Sequence, residues 1–375
     1  MSVSTTAPDS PPRIHAGAPP SEGGRGPSRM RIRLIYNHIA HHAKYSGYDI
    51  MAQYTEGEAY SYGSLYRLAQ KHATWKRLEK YKAYHTPWYG GDQMRRELEV
   101  IGRCMLPRKT LYHFYYAEND LRISSRFRFR WNNKIVGSFH QPPEFLDKHV
   151  EDKDYIRKAD AVVVVANSQV EYMQRFLPRE RIFVVPHGVH VHYWAPDPSV
   201  SRDIVPSFVF VGWWLRDLDM TKATIKACAQ RGVRARFRIV TAKENHQHLA
   251  DLPNTELLAG IPDDELRASY HRATALFLPL KMSTANNAIL EAMSCGTPVI
   301  STRTGGIPEY VDERSGVLVE SGDVDAAVAA IEKLGSDQDL QRRLDEGARR
   351  RAQDFAWEKV GATMNQAYRR ILRVG

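Results

Sequence analysis

One carboxylate and two cations in the C-terminal half of the chain have the types and spacing needed to hold a phosphorylated ligand. Arg216 and Lys222 lie in GWWLRDLDMTK, directly after an apolar segment, and Glu291 lies in NNAILEAMSCGTP. Arg and Lys neutralise phosphate oxygens and stabilise charge that develops on a leaving group. We expect Glu291 on the first turn of a helix, where it either accepts hydrogen bonds from the vicinal hydroxyls of a ribose or simply complements the helix dipole.

The segments around Glu291 predict how these groups are positioned. Residues 276–280 form an apolar run short enough for a buried parallel strand, and a polar loop follows. Ala288 then begins a helix that ends at Gly296, and residues 299–302 form the next strand. This order places the helix N-terminus at the carboxyl edge of a parallel sheet, where free backbone N–H groups and the positive end of the dipole bind anions.

Strands and helices alternate over most of the chain, which predicts an α/β fold with two doubly wound parallel sheets. The other predicted strands cover residues 32–36, 110–116, 135–139, 161–166, 182–185, 208–211, 237–240 and 256–258. Three helical segments follow Val319, and the last, residues 357–372, is long enough to cross back over both units. Within the first half, Ser168 and Glu171 have the spacing of a capping box.

The domain boundaries follow from composition. Residues 1–29 are rich in Pro and Gly and are predicted to be a disordered tail, and the prolines up to Pro206 mark a linker. We therefore predict an N-terminal domain over residues 30–190, a linker over 191–206, a C-terminal domain over 207–355 and a final helix over 356–375 that packs back on the N-terminal domain.

The overall charge and the cysteines restrict the partners and the compartment. The 375 residues carry a formal net charge of +10, which favours an anionic partner. The basic residues are spread over both halves, so we do not expect a nucleic-acid partner. Three cysteines lie far apart, and no apolar run is long enough to span a bilayer. A cytoplasmic protein in a reducing setting is expected.

The N-terminal half offers candidate groups at the carboxyl ends of its predicted strands. His140 follows one strand, where it either bonds a sugar hydroxyl or serves as a structural histidine. The loop after the first strand contains Ser46, Gly47 and three histidines at positions 38, 41 and 42. No carboxylate or cysteine lies at metal-ligand spacing in that loop before Asp49, so a substrate-facing loop is favoured over a metal site.

Residues 64–85 are predicted to form a basic helix interleaved with aromatic side chains. Such a face suits anionic lipid headgroups or a phosphorylated acceptor. A solvated face with the aromatics packed inward explains the pattern equally well. Peripheral contact with an anionic membrane is therefore one open expectation for this protein.

Several common chemistries are absent from the sequence. No G-x-G-x-x-G follows a strand, no P-loop is present, and no G-x-S-x-G forms a nucleophile elbow. Asp217-Leu218-Asp219 has the spacing of a DxD metal motif, but the adjacent Arg216 allows ion pairing instead. We expect no metal and no cofactor, with the phosphorylated ligand held by side chains and a helix terminus.

Three segments resemble the retaining GT-B glycosyltransferases of glycosyltransferase family 4, also called glycosyl transferases group 1. They are NNAILEAMSCGTPVISTRTGGIPEYV, the segment VVPHGVHVHYWAP, and Gly212 with Arg216 and Lys222. The resemblance covers nearly all of residues 30–375. It implies two facing Rossmann-like domains, with a nucleotide-diphosphate sugar bound mainly to the second as donor substrate.

The resemblance also implies roles for single residues. Glu291 matches the family glutamate that holds the ribose hydroxyls, Arg216 and Lys222 match the pair that neutralises the diphosphate, and His140 matches a histidine near the transferred sugar. The implied donor-binding residues are Gly212, Ile261, Ser283, Thr284, Asn286 and Asn287, and the implied acceptor-side residues are Ser46 and Gly47.

The chain departs from the family pattern at the sugar. Ser283 stands where the family usually has a second glutamate, and Thr284 and Asn286 stand where glycines are common. The predicted activity is transfer of a hexosyl or N-acetylhexosaminyl group, with retention, to a glycan, a lipid-linked saccharide or a small molecule. The alternative prediction is a non-catalytic module of the same fold that binds a nucleotide sugar.

Overall fold

Parallel strands build the framework of the protein. The computed structural model describes residues 31–36, 45–60, 89–127 and 131–373. The predicted tail (1–29), the basic helix (64–85) and the histidines at 38, 41 and 42 lie outside the described residues. In the part of the chain that is described, the strands form two six-stranded sheets in which neighbouring strands pair in parallel.

The N-terminal sheet has the strand order β2-β1-β3-β4-β5-β6. Its central strands are mostly apolar and almost entirely buried, which is the pattern expected of a parallel sheet covered on both sides. Its members are β1 Arg31–Ile35, β2 Glu58–Ala59, β3 Thr110–Phe114, β4 Lys134–Phe139, β5 Ala161–Val164 and β6 Ile182–Val184.

The C-terminal sheet has the order β12-β11-β10-β7-β8-β9. Its strand β11 has the bounds predicted from the sequence, and the apolar run before Lys281 becomes β10. The members are β7 Ser207–Val211, β8 Arg236–Val240, β9 Thr255–Leu258, β10 Ala275–Leu278, β11 Val299–Thr302 and β12 Gly316–Val319.

Helices connect the strands and cover the sheets. Several begin at an aspartate whose side chain accepts a backbone N–H of the first turn, as Asp217, Asp323 and Asp337 do. The described α-helices are α1 Gly91–Cys104, α2 Ala117–Asp120, α3 Pro143–His149, α4 Asp154–Arg157, α5 Val170–Gln174, α6 Leu218–Gln230, α7 Asp263–Arg272, α8 Asn287–Ser294, α9 Ile307–Tyr310, α10 Val324–Ser336, α11 Gln338–Ala352 and α12 Trp357–Ile371.

The last helix, α12, completes the core of the N-terminal sheet, as predicted. Trp357, Met364 and Tyr368 are buried in one apolar cluster with Leu34 of β1 and Val163 of β5. The helix comes so close that a Cβ at Gly361 would overlap the backbone carbonyl of Tyr54. The chain therefore leaves the first sheet, builds the second, and returns to the first.

Local details differ from the predictions in two places. The capping box of Ser168 and Glu171 is wrong, because Gln169 accepts the backbone N–H groups of Val165 and Ala166 at 2.9 and 3.1 Å. Glu291 is the fifth residue of α8, not a first-turn residue, because the Asn286 cap starts the helix one residue earlier than predicted.

Two further findings concern the cysteines and the hydropathy of the helices. The three cysteines are free and buried. Among the described residues, no helix combines the length and the apolar character that a membrane crossing requires.

Candidate active site

The C-terminal sheet changes winding direction between β7 and β10, and this switch point opens a crevice at the carboxyl ends of the two strands. The loop after β7 (residues 212–217) and the loop after β10 (residues 279–286) line the crevice. They hold each other through backbone bonds from Asp217 to Pro279 at 2.9 Å and from Lys281 to Leu215 at 3.0 Å. These bonds fix the two loops relative to each other, so the protein itself sets the shape of this part of the crevice.

Arg216 is fixed by the first of these loops. Its Nε donates to the carbonyl of Val211 at 3.1 Å and its Nη1 donates to the carbonyl of Trp214 at 2.9 Å. The loop turns back through positive φ at Gly212 (89°) and Leu215 (58°). A Cβ at Gly212 would lie 2.9 Å from Nη2 of Arg216, so the glycine makes room for the guanidinium. Burial lowers the pKa of Arg216 to about 10, which leaves it charged at neutral pH.

Lys222 lies on α6, and its ammonium group forms an ion pair with Asp219 at 3.4 Å. Asp219 also pairs with Lys281 at 3.4 Å, so two ammonium groups share one carboxylate near the crevice. Asp217 caps α6 by accepting the N–H of Met220 at 3.0 Å. The two aspartates of the DxD sequence thus serve a helix cap and an ion-pair cluster. The ion-pair partner of Lys222 is thus Asp219, which is not one of the predicted site residues.

Glu291 is a buried carboxylate with both oxygens bonded to neutral donors. Tyr270, on α7, donates its hydroxyl to Oε2 at 2.9 Å, and Ser46, on the loop after β1, donates its hydroxyl to Oε1. Burial raises the pKa of Glu291 to about 7, and the two hydrogen bonds and the charge of Arg216 oppose that rise. The structure thus brings Ser46 and Glu291, predicted on opposite sides of the active site, into direct contact.

The loop before α8 carries the predicted donor-binding residues. The side chain of Asn286 caps α8 by accepting the N–H of Ile289 at 3.3 Å, and Asn287 is the first, half-buried residue of the helix. Ser283 is buried, and its hydroxyl donates to the carbonyl of Ala285 at 3.2 Å. A polar, capped helix terminus therefore faces the crevice.

Two glycines from the turn after β11 pack directly against that loop. A Cβ at Gly305 or Gly306 would overlap the carbonyl oxygens of Ser283 and Thr284, respectively. Gly306 also donates its backbone N–H to the Ser283 carbonyl at 3.0 Å. The pair of glycines therefore sets the position of the loop, and only a residue without a side chain fits.

His140 joins the two sheets through its backbone. Its N–H donates to Oε1 of Glu118 at 3.0 Å, and its carbonyl accepts the hydroxyl of Thr284 from the C-terminal sheet. The imidazole packs edge-on against Tyr48, with ring centroids 4.3 Å apart. Neither ring nitrogen has a hydrogen-bond partner among the described residues.

The remaining predicted residues lie at the margins of the crevice. Gly47 has φ 114° and precedes the 3-10 turn Tyr48–Tyr54, so it lets the acceptor-side loop bend toward α8. Ile261 is half-buried between Gly260, with φ 64°, and Pro262, the N-cap of α7. It lies at the start of the helix that carries Tyr270.

Further contacts hold the two sheets face to face. Tyr45 stacks on Tyr193 with ring centroids 3.9 Å apart. Glu309 accepts the backbone N–H of Asn167 at 2.7 Å, and the hydroxyl of Tyr310 donates to the carbonyl of Val165 at 2.6 Å. The crevice is thus closed on the side of α9 by hydrogen bonds between the sheets.

Sequence reasoning missed Tyr270, Glu118 and Lys281. Lys281 had a usable signal, since it directly follows the apolar run of residues 276–280 at the switch point. Glu118 and Tyr270 had none, because their segments, AEND and DDELRASYHR, have the composition of exposed helices. Trp213 and Trp214 were also not among the predicted site residues, although they are 53% and 38% exposed on the loop after β7.

Comparison with known proteins agrees with this architecture. Residues 205–337 match the family described as glycosyl transferases group 1. The chain is 35% identical over 119 residues to a D-inositol 3-phosphate glycosyltransferase of Corynebacterium jeikeium, covering 32% of this chain and 28% of the relative. It is 27% identical over 204 residues to an MMP alpha-(1->4)-mannosyltransferase of Mycolicibacterium hassiacum, covering 52% of this chain and 49% of the relative.

A longer match, 27% identical over 302 residues, links the chain to the D-inositol 3-phosphate glycosyltransferase of Acidothermus cellulolyticus, covering 69% of this chain and 66% of the relative. The chain thus spans 28%, 49% and 66% of the lengths of these three relatives.

Solved structures share the fold at low sequence identity. Anabaena Alr3699/HepE, determined in complex with UDP-glucose, superposes with a TM-score of 0.64 at 16% identity, covering 91% of this chain and 100% of that one. Sucrose-phosphate synthase from Thermosynechococcus elongatus gives a TM-score of 0.59 at 19% identity, with 76% and 79% covered. The chain therefore has the GT-B fold, and its residues 205–337 are similar to the glycosyl transferases group 1 family.

Proposed function

We propose that the protein transfers a sugar from a nucleotide-diphosphate sugar to an acceptor hydroxyl, with retention of configuration. One observation carries the proposal. Arg216, Glu291 and the capped N-terminus of α8 converge at the switch point of the C-terminal sheet, directly opposite His140 and Ser46 of the N-terminal sheet. Cations, a helix terminus and a ribose-type carboxylate in one crevice suit a nucleotide diphosphate.

Leaving-group stabilisation is the main contribution that we assign to these residues. As the anomeric C–O bond breaks, negative charge grows on the diphosphate and an oxocarbenium-like sugar forms. Arg216 is held by two backbone carbonyls and needs little reorganisation to meet that charge. The N–H groups at the start of α8 and the ammonium groups of Lys222 and Lys281 add positive potential around the same crevice.

Glu291 is assigned to the nucleoside. A buried carboxylate already bonded to two hydroxyl groups is suited to accept the vicinal hydroxyls of a ribose. Ile261, beside the N-cap of α7, is assigned to the nucleobase. Ser283, Thr284 and Asn286 are assigned to the sugar and phosphates, with hydroxyl and amide groups in place of a second carboxylate.

The acceptor hydroxyl meets the sugar from the side of the N-terminal sheet. No protein nucleophile is assigned, and the departing phosphate oxygen takes the proton of the attacking hydroxyl. His140 is assigned to a hydroxyl of the transferred sugar, and Ser46 and Gly47 are assigned to the acceptor-side loop. We expect a cytoplasmic enzyme that acts on a glycan, a lipid-linked saccharide or a small molecule. We also propose that residues 191–206 are the linker between an N-terminal and a C-terminal domain.

A donor screen followed by a transfer assay tests the proposal. Nucleotide sugars that differ in base and sugar are tested for thermal stabilisation, since a ligand at 100 times its dissociation constant adds about 2.7 kcal/mol to the stability. The hit is then radiolabelled in the sugar and assayed with saccharide and lipid-linked acceptors. We expect one nucleotide sugar to stabilise the protein and to donate its sugar. Failure of every nucleotide sugar to bind would contradict the donor assignment.

A non-catalytic nucleotide-sugar module is the second candidate, and Ser283 is the observation that favours it. Its hydroxyl is committed to the Ala285 carbonyl at 3.2 Å, at the position where a carboxylate is expected by family resemblance. The two candidates differ in turnover. Binding of a nucleotide sugar without transfer or hydrolysis, under conditions where both are measured, would favour the module.

A further inference from the structure

We infer that Glu118 is a positioning residue that orients the imidazole of His140, with Nδ1 protonated toward Glu118 and Nε2 turned toward the crevice. The inference rests on the proposed function, because it assigns to Nε2 a hydroxyl of the transferred sugar. Glu118 itself does not touch the substrate. Its role is to decide which ring nitrogen is available and in which direction it points.

The geometry places Glu118 directly behind His140. Glu118 lies on α2, at the carboxyl end of β3, and is only 1% exposed. Its Oε1 accepts the backbone N–H of His140 at 3.0 Å and lies 3.4 Å from Nδ1 of the same residue. One carboxylate oxygen thus faces both the backbone and the ring of His140, close enough for a small closing movement to form the ring hydrogen bond.

The imidazole has few other positions to adopt. Tyr48 and Tyr116 pack against it with ring centroids 4.3 and 5.1 Å away. Its side chain is 14% exposed, so one edge still reaches the crevice. The backbone is fixed on both sides, by Glu118 at the N–H and by Thr284 at the carbonyl. The remaining freedom of His140 is the ring orientation and the tautomer, and Glu118 faces the atom that decides both.

His113 shows what a structural histidine looks like in the same region. It is buried, its Nδ1 lies 2.7 Å from the hydroxyl of Tyr368, and its Nε2 lies 2.8 Å from the hydroxyl of Ser138. Burial lowers its pKa to about 3, so it stays neutral. His140 has neither neutral partner. Of these two neighbouring histidines, only His140 has a ring nitrogen, Nε2, left for a ligand once Nδ1 bonds Glu118.

A buried carboxylate is energetically unfavourable for a purely structural contact. Burying an ionised carboxylate is unfavourable unless its lone pairs accept hydrogen bonds, and Oε2 of Glu118 has no partner among the described residues. A glutamine carbonyl would satisfy the His140 N–H equally well. What a carboxylate adds is negative charge beside the imidazole, which favours an N–H at Nδ1 and makes Nε2 a better hydrogen-bond acceptor. Arg122 anchors the same helix by donating to the Glu118 carbonyl at 2.6 Å.

The test compares Glu118→Gln with wild-type protein by NMR of ¹⁵N-labelled histidine, which reports the tautomer of His140 without any substrate. In wild-type protein we expect His140 as the Nδ1–H tautomer. In Glu118→Gln we expect a mixture of the two neutral tautomers. Glu118→Asp, which keeps the carboxylate, should restore most of the Nδ1–H tautomer. Glu144→Gln, the same change at an exposed position of α3, is the control and should shift nothing.

Kinetics then connect the orientation to turnover. We expect Glu118→Gln to lower kcat about 10- to 100-fold, the range seen when a partner that orients a functional histidine is removed, with the donor KM nearly unchanged. An unchanged His140 tautomer in a folded Glu118→Gln protein would overturn the inference. If Glu118→Gln does not fold, the wild-type protein decides through the same NMR readout, because an Nε2–H tautomer of His140 in the wild type opposes the inference. A tautomer that changes in Glu118→Gln, in a protein whose wild type transfers no sugar, would support the orientation by Glu118 and contradict the proposed function.

Discussion

Ser46 donates its hydroxyl to the Glu291 carboxylate, and this bond links the loop after β1 of one sheet to α8 of the other. The second oxygen of the same carboxylate accepts the hydroxyl of Tyr270 at 2.9 Å. Both oxygens of the proposed ribose acceptor are therefore used by the protein itself. A bound ribose has to share or replace the Ser46 bond, so donor binding is coupled to the contact between the two sheets.

The first prediction follows from that coupling. Ser46→Ala removes the competing hydroxyl, so we expect nucleotide affinity to rise about 2- to 10-fold, which corresponds to one hydrogen bond of about 0.5–1.5 kcal/mol. The free energy of unfolding should fall by a similar amount because the link between the sheets is lost. Calorimetric titration with nucleoside diphosphates and denaturant unfolding measure the two quantities. Ser199→Ala, which removes only a local bond to Asp197, is the control, and weaker nucleotide binding by Ser46→Ala would oppose the coupling.

The second prediction concerns the pH dependence of stability at Glu291. Burial raises its pKa from 4.5 to about 7, so between these values the folded protein binds more protons than the unfolded chain, and this contribution to stability falls as pH rises toward 7. The glutamine side chain in Glu291→Gln cannot ionise, so the variant does not lose this stability as the pH rises. Relative to wild type, the variant should therefore gain stability between pH 5 and pH 8, by at most about 3 kcal/mol.

Denaturant unfolding of both proteins at the two pH values checks this, because the other titrating groups cancel in the comparison. A difference in unfolding free energy that stays constant with pH would show that Glu291 has an ordinary pKa.

The third prediction tests the diphosphate clamp. Arg216→Ala should lower kcat about 100- to 1,000-fold, because a preorganised charge is lost from the leaving group. Arg216→Lys keeps the charge but cannot hold the carbonyls of both Val211 and Trp214, so it should recover only part of the rate. Arg231→Ala removes an exposed arginine paired with Asp325 and should leave kcat unchanged. Steady-state assays with the identified donor provide the comparison, and wild-type turnover in Arg216→Ala would refute the clamp.

The fourth prediction uses two glycines with the same kind of backbone. Gly305 and Gly322 both have positive φ, 49° and 81°, but only Gly305 would place a Cβ against a carbonyl, that of Ser283, whereas Gly322 faces open space. Gly322→Ala should cost about 1–2 kcal/mol for the left-handed backbone alone. Gly305→Ala adds overlap with the loop and should cost about 3 kcal/mol in total.

Thermal unfolding and nucleotide titration distinguish the two glycine variants. Gly305→Ala should also weaken nucleotide binding, because the displaced loop caps α8, and Gly322→Ala should not. Equal effects of the two substitutions on binding would mean that the contact with Ser283 does not set the position of the loop.

The framework was predictable because its information is local. Apolar runs bounded by Gly, Pro and Asp identified most strands and the C-terminal helices, and β11 has the predicted bounds. The two-residue strand β2 was not predicted, because a segment of that length carries too little pattern, and the four-residue strand β12 was also missed. The family resemblance implied roles for Arg216 and Glu291, and both lie beside the switch point of the C-terminal sheet.

The partners of these residues were not predictable, because they come from distant positions in the chain. Ser46 and Glu291 are 245 residues apart, and neither segment contains a pattern that predicts their hydrogen bond. Glu118 lies in AEND, whose composition indicates an exposed turn, yet the fold buries it behind His140. A single sequence shows which groups are capable of chemistry, whereas their pKa values and orientations depend on tertiary contacts.

The return of α12 to the first sheet has a consequence for biosynthesis. The N-terminal sheet cannot close its core around Leu34 and Val163 until residues 357–371 have emerged from the ribosome. The C-terminal sheet, whose strands and covering helices lie within residues 207–352, is complete in sequence before that point. The unit that is translated second is therefore the first that can finish folding, and the exposed face of the first unit must be kept from aggregating in the meantime.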